Sequence, residues 1–135
     1  MRISSRGEYG LRALCDLAQH YGEGPIPCAD IAARQQIPIN YLNQLLLTLR
    51  RAGFVRSLRG PQGGHLLARP PDQITLSEAI AVLDGSTAPV DCVSDEVASE
   101  CKLAALCLFR DVWQEVKEAT DSILSSKTLA DMCRR

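Results

Sequence analysis

The feature that most restricts the fold is a leucine stripe that runs directly into a glycine-rich segment. Within residues 39–52, four leucines recur at the spacing i, i+3, i+4, i+7, which places them on one face of an α-helix. They are Leu42, Leu45, Leu46 and Leu49. Gly53 ends the helix at a position that glycine favours. The short apolar runs FVRSL and HLLA then flank RGPQGG, and this pattern predicts a β-hairpin with a long glycine-rich tip.

The segments ahead of this stripe predict two more helices. Residues 4–20 carry regularly spaced apolar side chains, and a Gly- and Pro-rich stretch interrupts the pattern behind them. A shorter helix is expected over residues 28–35. Pro38 disfavours helical geometry at the residue before it, so the segment QQIPIN is expected to be a turn. Helix, short helix, turn, helix and hairpin in this order predict a winged helix-turn-helix, a mainly α fold with one small β-hairpin.

The rear of the chain predicts further helices. Thr75 and Glu78 form a capping box for a helix that runs to about Leu83. A long helix is expected over residues 102–124, because its larger side chains alternate at spacings of four and three. That seam is typical of a helix that packs lengthwise on another helix. Its members are Phe109, Trp113, Val116, Thr120 and Ile123.

Charge divides the chain into two unlike halves. Residues 1–69 hold nine Lys or Arg and four Asp or Glu, a balance of +5, whereas residues 70–135 hold six against twelve, a balance of −6. A basic front half favours a polyanion partner such as double-stranded DNA. We therefore expect a DNA-binding head over 1–84, a cysteine-bearing loop over 85–101, and a long helix with a tail over 102–135.

Composition argues against two other classes of protein. No apolar run approaches the roughly 18–20 residues that span a bilayer, and the N-terminus lacks the apolar core of a signal peptide. We therefore expect a cytoplasmic protein with no membrane partner. Six cysteines in a reducing compartment favour metal ligands or redox sensors over a framework of disulfides.

The polar side of the third helix carries the candidate DNA contacts. Asn and Gln can pair with adenine in the major groove, and Thr and Tyr can reach phosphates or a thymine methyl group. Arg59, at the hairpin tip, suits a narrow minor groove with its concentrated negative potential. Any surface helix on a leucine stripe has polar outer residues, so the prediction depends on the combination with a basic wing. The helix candidates are Asn40, Tyr41, Asn43, Gln44, Thr48 and Arg51.

Three cysteines lie close together in the rear half, with eight and then five residues between them. They are Cys92, Cys101 and Cys107. Thiolates gathered on one loop bind soft metals or iron–sulfur clusters, and three of them leave one position for a fourth ligand. A zinc finger is disfavoured because the spacing contains no tight pair of cysteines, and a disulfide would leave one thiol idle. The other cysteines are expected to be structural, because free cysteine is commonly buried.

Three segments of the chain resemble a known family. RISSRGEYGLRAL, IPINYLNQLLLTLRRAGFVRSLRGPQGG and TLSEAIAVLDG are similar to winged-helix regulators of the Rrf2 type, which include IscR-, NsrR-, RirA- and CymR-like proteins. The resemblance covers essentially the whole chain, and LRRAGFVRSLRGPQGG is its most specific part. It implies a homodimer, held by the long C-terminal helix, on a partly palindromic operator. It also implies a [2Fe–2S] or [4Fe–4S] cluster on the three cysteines. The implied DNA contacts are Asn40, Tyr41, Asn43, Gln44 and Arg59, although IscR-like members carry Glu at the position of Asn43.

The fourth ligand is the point at which this chain departs from IscR-like members. Those members place His three residues after the last cysteine, where this chain has Arg110, which cannot ligate a metal. NsrR-like members use an acidic residue from the first helix of the partner subunit, and the matching position here is Glu8. The resemblance therefore implies Glu8, supplied across the dimer. As an alternative, Glu8 is a solvated acid that suits a helix N-terminus. The fallback ligands in the loop are Asp91, Asp95 and Glu100.

Together these observations predict a homodimeric DNA-binding transcription regulator, expected to act as a repressor and not an enzyme. An iron–sulfur cluster would control its operator affinity in response to redox state, nitric oxide or iron supply. Besides a structural interaction module, two alternatives stay open. One is a cluster-free regulator of the CymR type, which senses thiol oxidation or a partner protein. The other is a small redox or metalloenzyme, although the chain has no C-x-x-C motif and no glycine-rich nucleotide loop.

Overall fold

The computed structural model describes residues 2–94 and 106–133, and its elements follow the predicted order through the head. The helices are α1 (Ser5–Gln19), α2 (Cys28–Gln35), α3 (Ile39–Arg51), α4 (Leu76–Leu83), α5 (Arg110–Ser125) and α6 (Leu129–Met132). The antiparallel hairpin consists of β1 (Val55–Leu58) and β2 (Gly64–Leu67), and short 3-10 helices cover Pro71–Gln73 and Asp91–Val93. The head is therefore a winged helix-turn-helix, as the sequence predicts.

Helix α1 is the centre of the head. It packs against α2, α3, α4, α6 and β2. The leucine stripe of α3 enters the same core, and each of its four leucines is at most 3% exposed. Full burial of one leucine contributes about 1.5–3 kcal/mol. The burial of four leucines fixes the rotation of α3 about its own axis, so its polar side faces outward.

A buried carboxylate ties α2 to α1. The Asp16 side chain is 0% exposed, and it accepts hydrogen bonds from Arg34 Nε at 3.0 Å, from Arg34 Nη2 at 2.8 Å and from Gln35 Nε2 at 3.0 Å. Burial by itself raises the pKa of Asp16. The hydrogen bonds from Arg34 and Gln35, with the charges of Arg34 and His20, outweigh burial and lower the pKa below its usual value. Asp16 is therefore ionised at neutral pH, and it holds the last turn of α2 in place.

The turn between α2 and α3 has the geometry that its sequence predicts. Gln36 adopts a left-handed conformation with φ 54° and ends α2, and its backbone N–H bonds to the carbonyl of Ala32. Ile37 is buried and anchors the turn in the core. Pro38 then occupies the N-cap of α3, where its missing N–H costs nothing.

The hairpin tip depends on two of its glycines. Gly60 has φ 112°, a conformation that L side chains rarely adopt. A Cβ on Gly63 would lie 2.2 Å from the carbonyl oxygen of Leu58, so the tip closes only with glycine at that position. The backbone of Ile26, between α1 and α2, pairs with β2 on the side away from β1. Ile26 and His65 exchange two hydrogen bonds of 2.8 Å. The base of the wing is thus held on both sides.

Helix α4 approaches α1 closely. Cβ atoms on Gly7 and Gly10 would lie 2.6 Å from Asp84 Oδ2 and 2.5 Å from Leu83 Cδ2. The backbone N–H of Ser4 donates to Asp84 Oδ2 at 3.0 Å, and its hydroxyl also bonds to this carboxylate. The N-terminus of α1 is thereby attached to the end of α4. The predicted capping box of Thr75 and Glu78 is present at the other end of α4.

The long helix starts later than the sequence predicts. Helix α5 begins at Arg110 rather than near Lys102, and residues 106–109 are non-helical, so Phe109 lies ahead of the helix and not within it. Residues 102–105 lie outside the described part of the chain. Apolar residues fill nearly every position of the run LAALCLF, so periodicity could not locate a start there. Within residues 2–94 and 106–133, no helix combines the length and the hydropathy needed to cross a membrane.

We expect Asp16→Ala to lower the free energy of unfolding by about 3 kcal/mol, the low end for breaking a buried ion pair, because Arg34 is still 40% exposed and solvated. Urea titration followed by circular dichroism measures this. Asp72→Asn, at an exposed carboxylate, is the matched control. A loss for Asp16→Ala no larger than that of the control would contradict the role of the ion pair.

The Asp16 contribution should also depend on pH. Because folding lowers the pKa of Asp16, its stabilisation is fully present above the unfolded value of about 3.9. It is lost as the pH falls through the lower folded value. Urea titrations from neutral to acid pH should therefore show the difference between wild type and Asp16→Asn narrowing only below about pH 4. A constant difference would show that the carboxylate charge is not involved.

Candidate nucleic-acid interface and cysteine segment

The outer side of α3 presents the predicted polar residues. Asn40, Asn43, Gln44 and Arg51 are exposed, and α3 carries no acidic residue. Tyr41 and Thr48 are only partly exposed and lie on one flank of the helix. Tyr41 packs edge-on against the ring of Tyr9 on α1, with 5.8 Å between the ring centroids. The structure thus brings all six helix candidates to one side of α3.

A cleft borders α3 on each flank. The first has a volume of about 170 Å³ and is lined by Arg6 of α1 together with Tyr41, Gln44, Leu45 and Thr48. The second has a volume of about 250 Å³ and separates α3 from the hairpin. Its lining residues are Asn43, Leu46, Leu47, Arg50, Ser57 and His65. Each cleft is therefore lined by polar side chains of α3 together with one arginine.

Arg59 lies at the tip of the wing, as predicted. It is exposed, directly follows β1, and precedes Gly60. Leu58, the last residue of β1, is also exposed at 51%. The wing tip therefore presents a cation and an apolar side chain on a backbone that glycine leaves uncovered.

The stretch between α4 and α5, residues 84–109, carries Cys92 and Cys107 and is called the cysteine segment below. Its first part packs on α5. The 3-10 helix at Asp91–Val93 contacts α5, and Val93 is buried. Asp121 of α5 holds the preceding residues, since it accepts hydrogen bonds from the Thr87 hydroxyl and from Lys117 Nζ. Cys92 is half-buried within this 3-10 helix.

The structure describes two of the three predicted cysteine ligands. Cys92 and Cys107 are both free thiols, and Cys107 is exposed. Cys101 lies outside the described residues, as do the fallback ligands Asp95 and Glu100. In residues 2–94 and 106–133, no three side chains of His, Cys, Asp or Glu come close enough to hold a metal ion. Free thiols are nonetheless the donor type that an iron–sulfur cluster requires.

Glu8 is exposed in the first turn of α1. It lines an open cleft of about 470 Å³ with Arg2, Ile3, Ser4 and Ser5. The contact between Ser4 and Asp84 places the end of α4, where the cysteine segment starts, beside this turn. A ligand held by Glu8 would therefore act on the junction between α1 and the cysteine segment.

The other three cysteines, Cys15, Cys28 and Cys133, are free thiols and are partly buried. Cys15 and Cys133 meet where α6 packs on α1, and the Cys133 thiol lies 3.8 Å from the Cys15 carbonyl oxygen. Burial, with the nearby Cys133 thiol, raises the pKa of Cys15 from 9.0 to about 11. Burial also raises the pKa of Cys28 and of Cys133. These three thiols are therefore protonated at neutral pH.

Several polar residues that line the clefts are absent from the candidates that the sequence supplies, and Arg6 and His65 are the basic ones that do not belong to α3. Arg6 lies 35 positions before Tyr41, and His65 lies on the wing, so no local spacing links either residue to α3. The sequence shows that Arg6 is a cation and that His65 can be protonated. Their placement beside α3 depends on tertiary packing.

The arrangement defines a winged-helix transcription regulator that binds DNA. Comparisons with known proteins agree. The family model for Rrf2, described as an iron-dependent transcriptional regulator, matches residues 3–135. CymR from Bacillus subtilis, an HTH-type transcriptional regulator, is 38% identical over 98% of this chain and 89% of its own length. IscR from Xenorhabdus nematophila is 39% identical over 99% of this chain and 80% of its own length.

Solved structures give the same result. The structure of B. subtilis CymR, titled the global cysteine regulator, superposes with a TM-score of 0.81 at 38% identity, covering 98% of this chain and 96% of that one. T. potens IscR superposes with a TM-score of 0.79 at 40% identity, covering 98% of this chain and 85% of that one. The chain belongs to the Rrf2 family of transcription regulators. Its relatives are named as regulators, so the enzyme alternative is set aside.

In reduced protein stripped of iron with a chelator, we expect Cys15 to react with iodoacetamide at least tenfold more slowly than Cys107. A pKa of about 11 instead of 9.0 leaves about a hundredfold less thiolate near neutral pH than an ordinary thiol has. Peptide mass spectrometry over time measures both rates. Denatured protein, in which the cysteines should react alike, is the control, and equal rates in the native protein would contradict the burial of Cys15.

Proposed function

We propose that the protein is a homodimeric repressor whose affinity for a palindromic operator is controlled by an iron–sulfur cluster. The observation that carries this proposal is the pairing of a winged-helix head with free thiols at Cys92 and Cys107 in a segment attached to both α4 and α5. A family model described as iron-dependent supports it. Redox state, nitric oxide and iron supply are the proposed signals, and the cytoplasm is the proposed location.

The exposed seam of α5 supports the homodimer. Val116 is 38% exposed and Ile123 is 62% exposed, and Phe109, just ahead of the helix, is 61% exposed. Phe109 stacks on Trp113 with 6.4 Å between their ring centroids. Apolar side chains at this spacing are covered when two such helices pack lengthwise. A second copy of α5 would bury them, and α5 with the following tail is therefore the proposed dimerisation segment.

The proposed cluster ligands are Cys92, Cys101 and Cys107 of one subunit and Glu8 of the other. When bound, an iron–sulfur cluster supplies a group that gains or loses electrons and is released by oxidants or nitric oxide. The chain's own part is to link that site to the head. Glu8 stands one turn from Ser4, which bonds to Asp84, so the same short region of α1 touches α4 and carries the acidic ligand.

The DNA contacts follow from the placement of α3 and the wing. Asn40, Asn43 and Gln44 reach base edges in the major groove, whereas Tyr41, Thr48 and Arg51 reach the phosphates beside it. Arg59 enters the adjacent minor groove. Two heads in a dimer would read half-sites about one helical turn apart.

A cluster-free regulator of the CymR type is the second candidate. A CymR is as similar to this chain as an IscR is, at 38% and 39% identity. In this reading the exposed thiol of Cys107 responds directly to oxidants or to a partner protein.

Purification without air separates the two candidates. We expect coloured protein that contains iron and sulfide, and Cys107→Ala should lose both, because removing one of three thiolates leaves the cluster without a full set of ligands. Cys28→Ala, which removes a half-buried thiol of α2, is the matched control and should keep them. Colourless, iron-free wild-type protein that binds its operator fully would overturn the cluster and favour the CymR type.

The ligand role of Glu8 has its own test. Glu8→Ala should lower iron content or change the visible spectrum, whereas Glu23→Ala, at an exposed acid beyond α1, should not. The Glu8→Ala protein should still fold, because Glu8 is exposed on the surface. Unchanged iron loading and unchanged operator affinity in Glu8→Ala would eliminate the contribution across the dimer.

Base reading by Asn43 is tested on an operator selected from random-sequence duplexes. Asn43→Ala should cost about 1–3 kcal/mol on that operator and flatten the preference at one base pair in each half-site, because an amide makes paired hydrogen bonds to adenine. Gln73→Ala, at an exposed amide of the 3-10 helix Pro71–Gln73, is the control. Equal losses on selected and random duplexes would show that Asn43 contacts only the backbone.

A further inference from the structure

The cleft between α3 and the hairpin lies where a DNA backbone must pass. An α-helix about 10–12 Å across fills a major groove about 12 Å wide, so its flanks face the two phosphate backbones. A wing that reaches the neighbouring minor groove crosses one of these backbones. The cleft is the gap between the two elements. This inference rests on the proposed use of α3 and the wing to bind DNA.

The lining of this cleft suits a phosphodiester. Arg50 and Asn43 come from α3, and Ser57 and His65 come from the two strands of the hairpin. All four can donate hydrogen bonds, and the lining contains no carboxylate. The Arg50 side chain is exposed and makes no hydrogen bond or ion pair with any residue that the structure describes. An anion in the cleft would therefore meet donors without displacing an existing partner.

His65 is held rigidly in position. It lies directly opposite Ser57 in the hairpin register, and its backbone is bonded to Ile26 on the other side. Its Nδ1 lies 2.9 Å from the Ser57 hydroxyl. This hydroxyl can donate to neutral imidazole or accept from the protonated ring, so the contact survives a change of charge. Nε2 has no hydrogen-bond partner among the described residues.

The surroundings keep His65 neutral in the free protein. Burial and the positive charge of Arg50 lower its pKa below the ordinary value of 6.5. Arg50 of α3 is the charged group that faces His65. The other neighbours, Ser57 of β1 and Ile26 ahead of α2, carry no charge. A phosphate placed between Arg50 and His65 would offset the arginine charge and favour the imidazolium form.

We propose that this cleft holds one phosphodiester of bound DNA, contacted by Arg50 and His65, and that DNA binding takes up a proton at His65. The protein would then bind its operator more tightly as the pH falls. The effect applies between the pKa of His65 in the complex and its lower pKa in the free protein, and affinity is independent of pH well above both. The cleft thus couples DNA binding to acidity through the fold of the head alone.

Operator affinity measured by fluorescence anisotropy from about pH 8 to pH 5.5, at constant ionic strength, tests the coupling. The full-length protein and the selected duplex are used. We expect wild-type affinity to rise by about three- to tenfold as the pH falls from 8 to 6, which corresponds to an average uptake of about a quarter to half a proton over these two pH units. His65→Gln should remove most of this rise. His20→Gln alters the other of the two histidines in the chain and should retain it.

A second measurement locates the phosphate. In a set of duplexes, each duplex has one phosphate replaced by a neutral methylphosphonate. We expect one position in each half-site at which this replacement abolishes the pH dependence of the affinity. Arg50→Ala should reduce the slope of log affinity against log salt by about one per protomer. NMR titration of the His65 ring should give a higher pKa with DNA than without it.

The outcomes separate this inference from the proposed function. No DNA binding at any pH would overturn the regulator proposal itself. DNA binding with equal pH dependence in wild type and His65→Gln would overturn only the proton uptake. A methylphosphonate scan in which no position alters the pH dependence would overturn the assignment of the cleft to a phosphate, because a base edge would then occupy it.

Discussion

The rest of the head depends on the burial of one carboxylate in α1. Asp16 binds Arg34 and Gln35 at the end of α2. A rotation of α2 would therefore leave the buried carboxylate without its partners or expose it to solvent. The α2–α3 turn starts at the next residue, Gln36. The position of the recognition helix is therefore set by an ion pair and by the leucine stripe together. Apolar packing supplies most of the stability, and the ion pair supplies the angular constraint.

The surface that we propose for DNA binding combines rigid and open parts. Tyr41 is fixed by Tyr9, and His65 is fixed by Ser57 and Ile26, so both flanks of α3 are supported from behind. The guanidinium groups of Arg6 and Arg50, in contrast, make no hydrogen bond or ion pair with any described residue, and both residues are exposed. Cations that have no partner in the free protein gain the most from a phosphate, because no existing contact is lost when it binds.

Two regions meet at the N-terminus of α1. Ser4 and Gly7 touch Asp84, the residue that ends α4 and begins the cysteine segment, and Glu8 follows on the same turn. The same helix packs against α3. A change at the cysteine segment therefore has a short physical route to the recognition helix, through one helix packed against both.

The sequence alone was sufficient for most of the head. Helix α3, the capping box of Thr75 and Glu78, and the hairpin were predictable because they depend on local spacing, on proline and on glycine. The start of α5 was not, since the uniformly apolar run before Arg110 has no period to follow. Only tertiary structure brought Arg6 and His65 beside α3 and made Asp16 the anchor of α2. These contacts join residues far apart in the chain, and their energy depends on burial and on the field of neighbouring charges, which no local pattern of residues records.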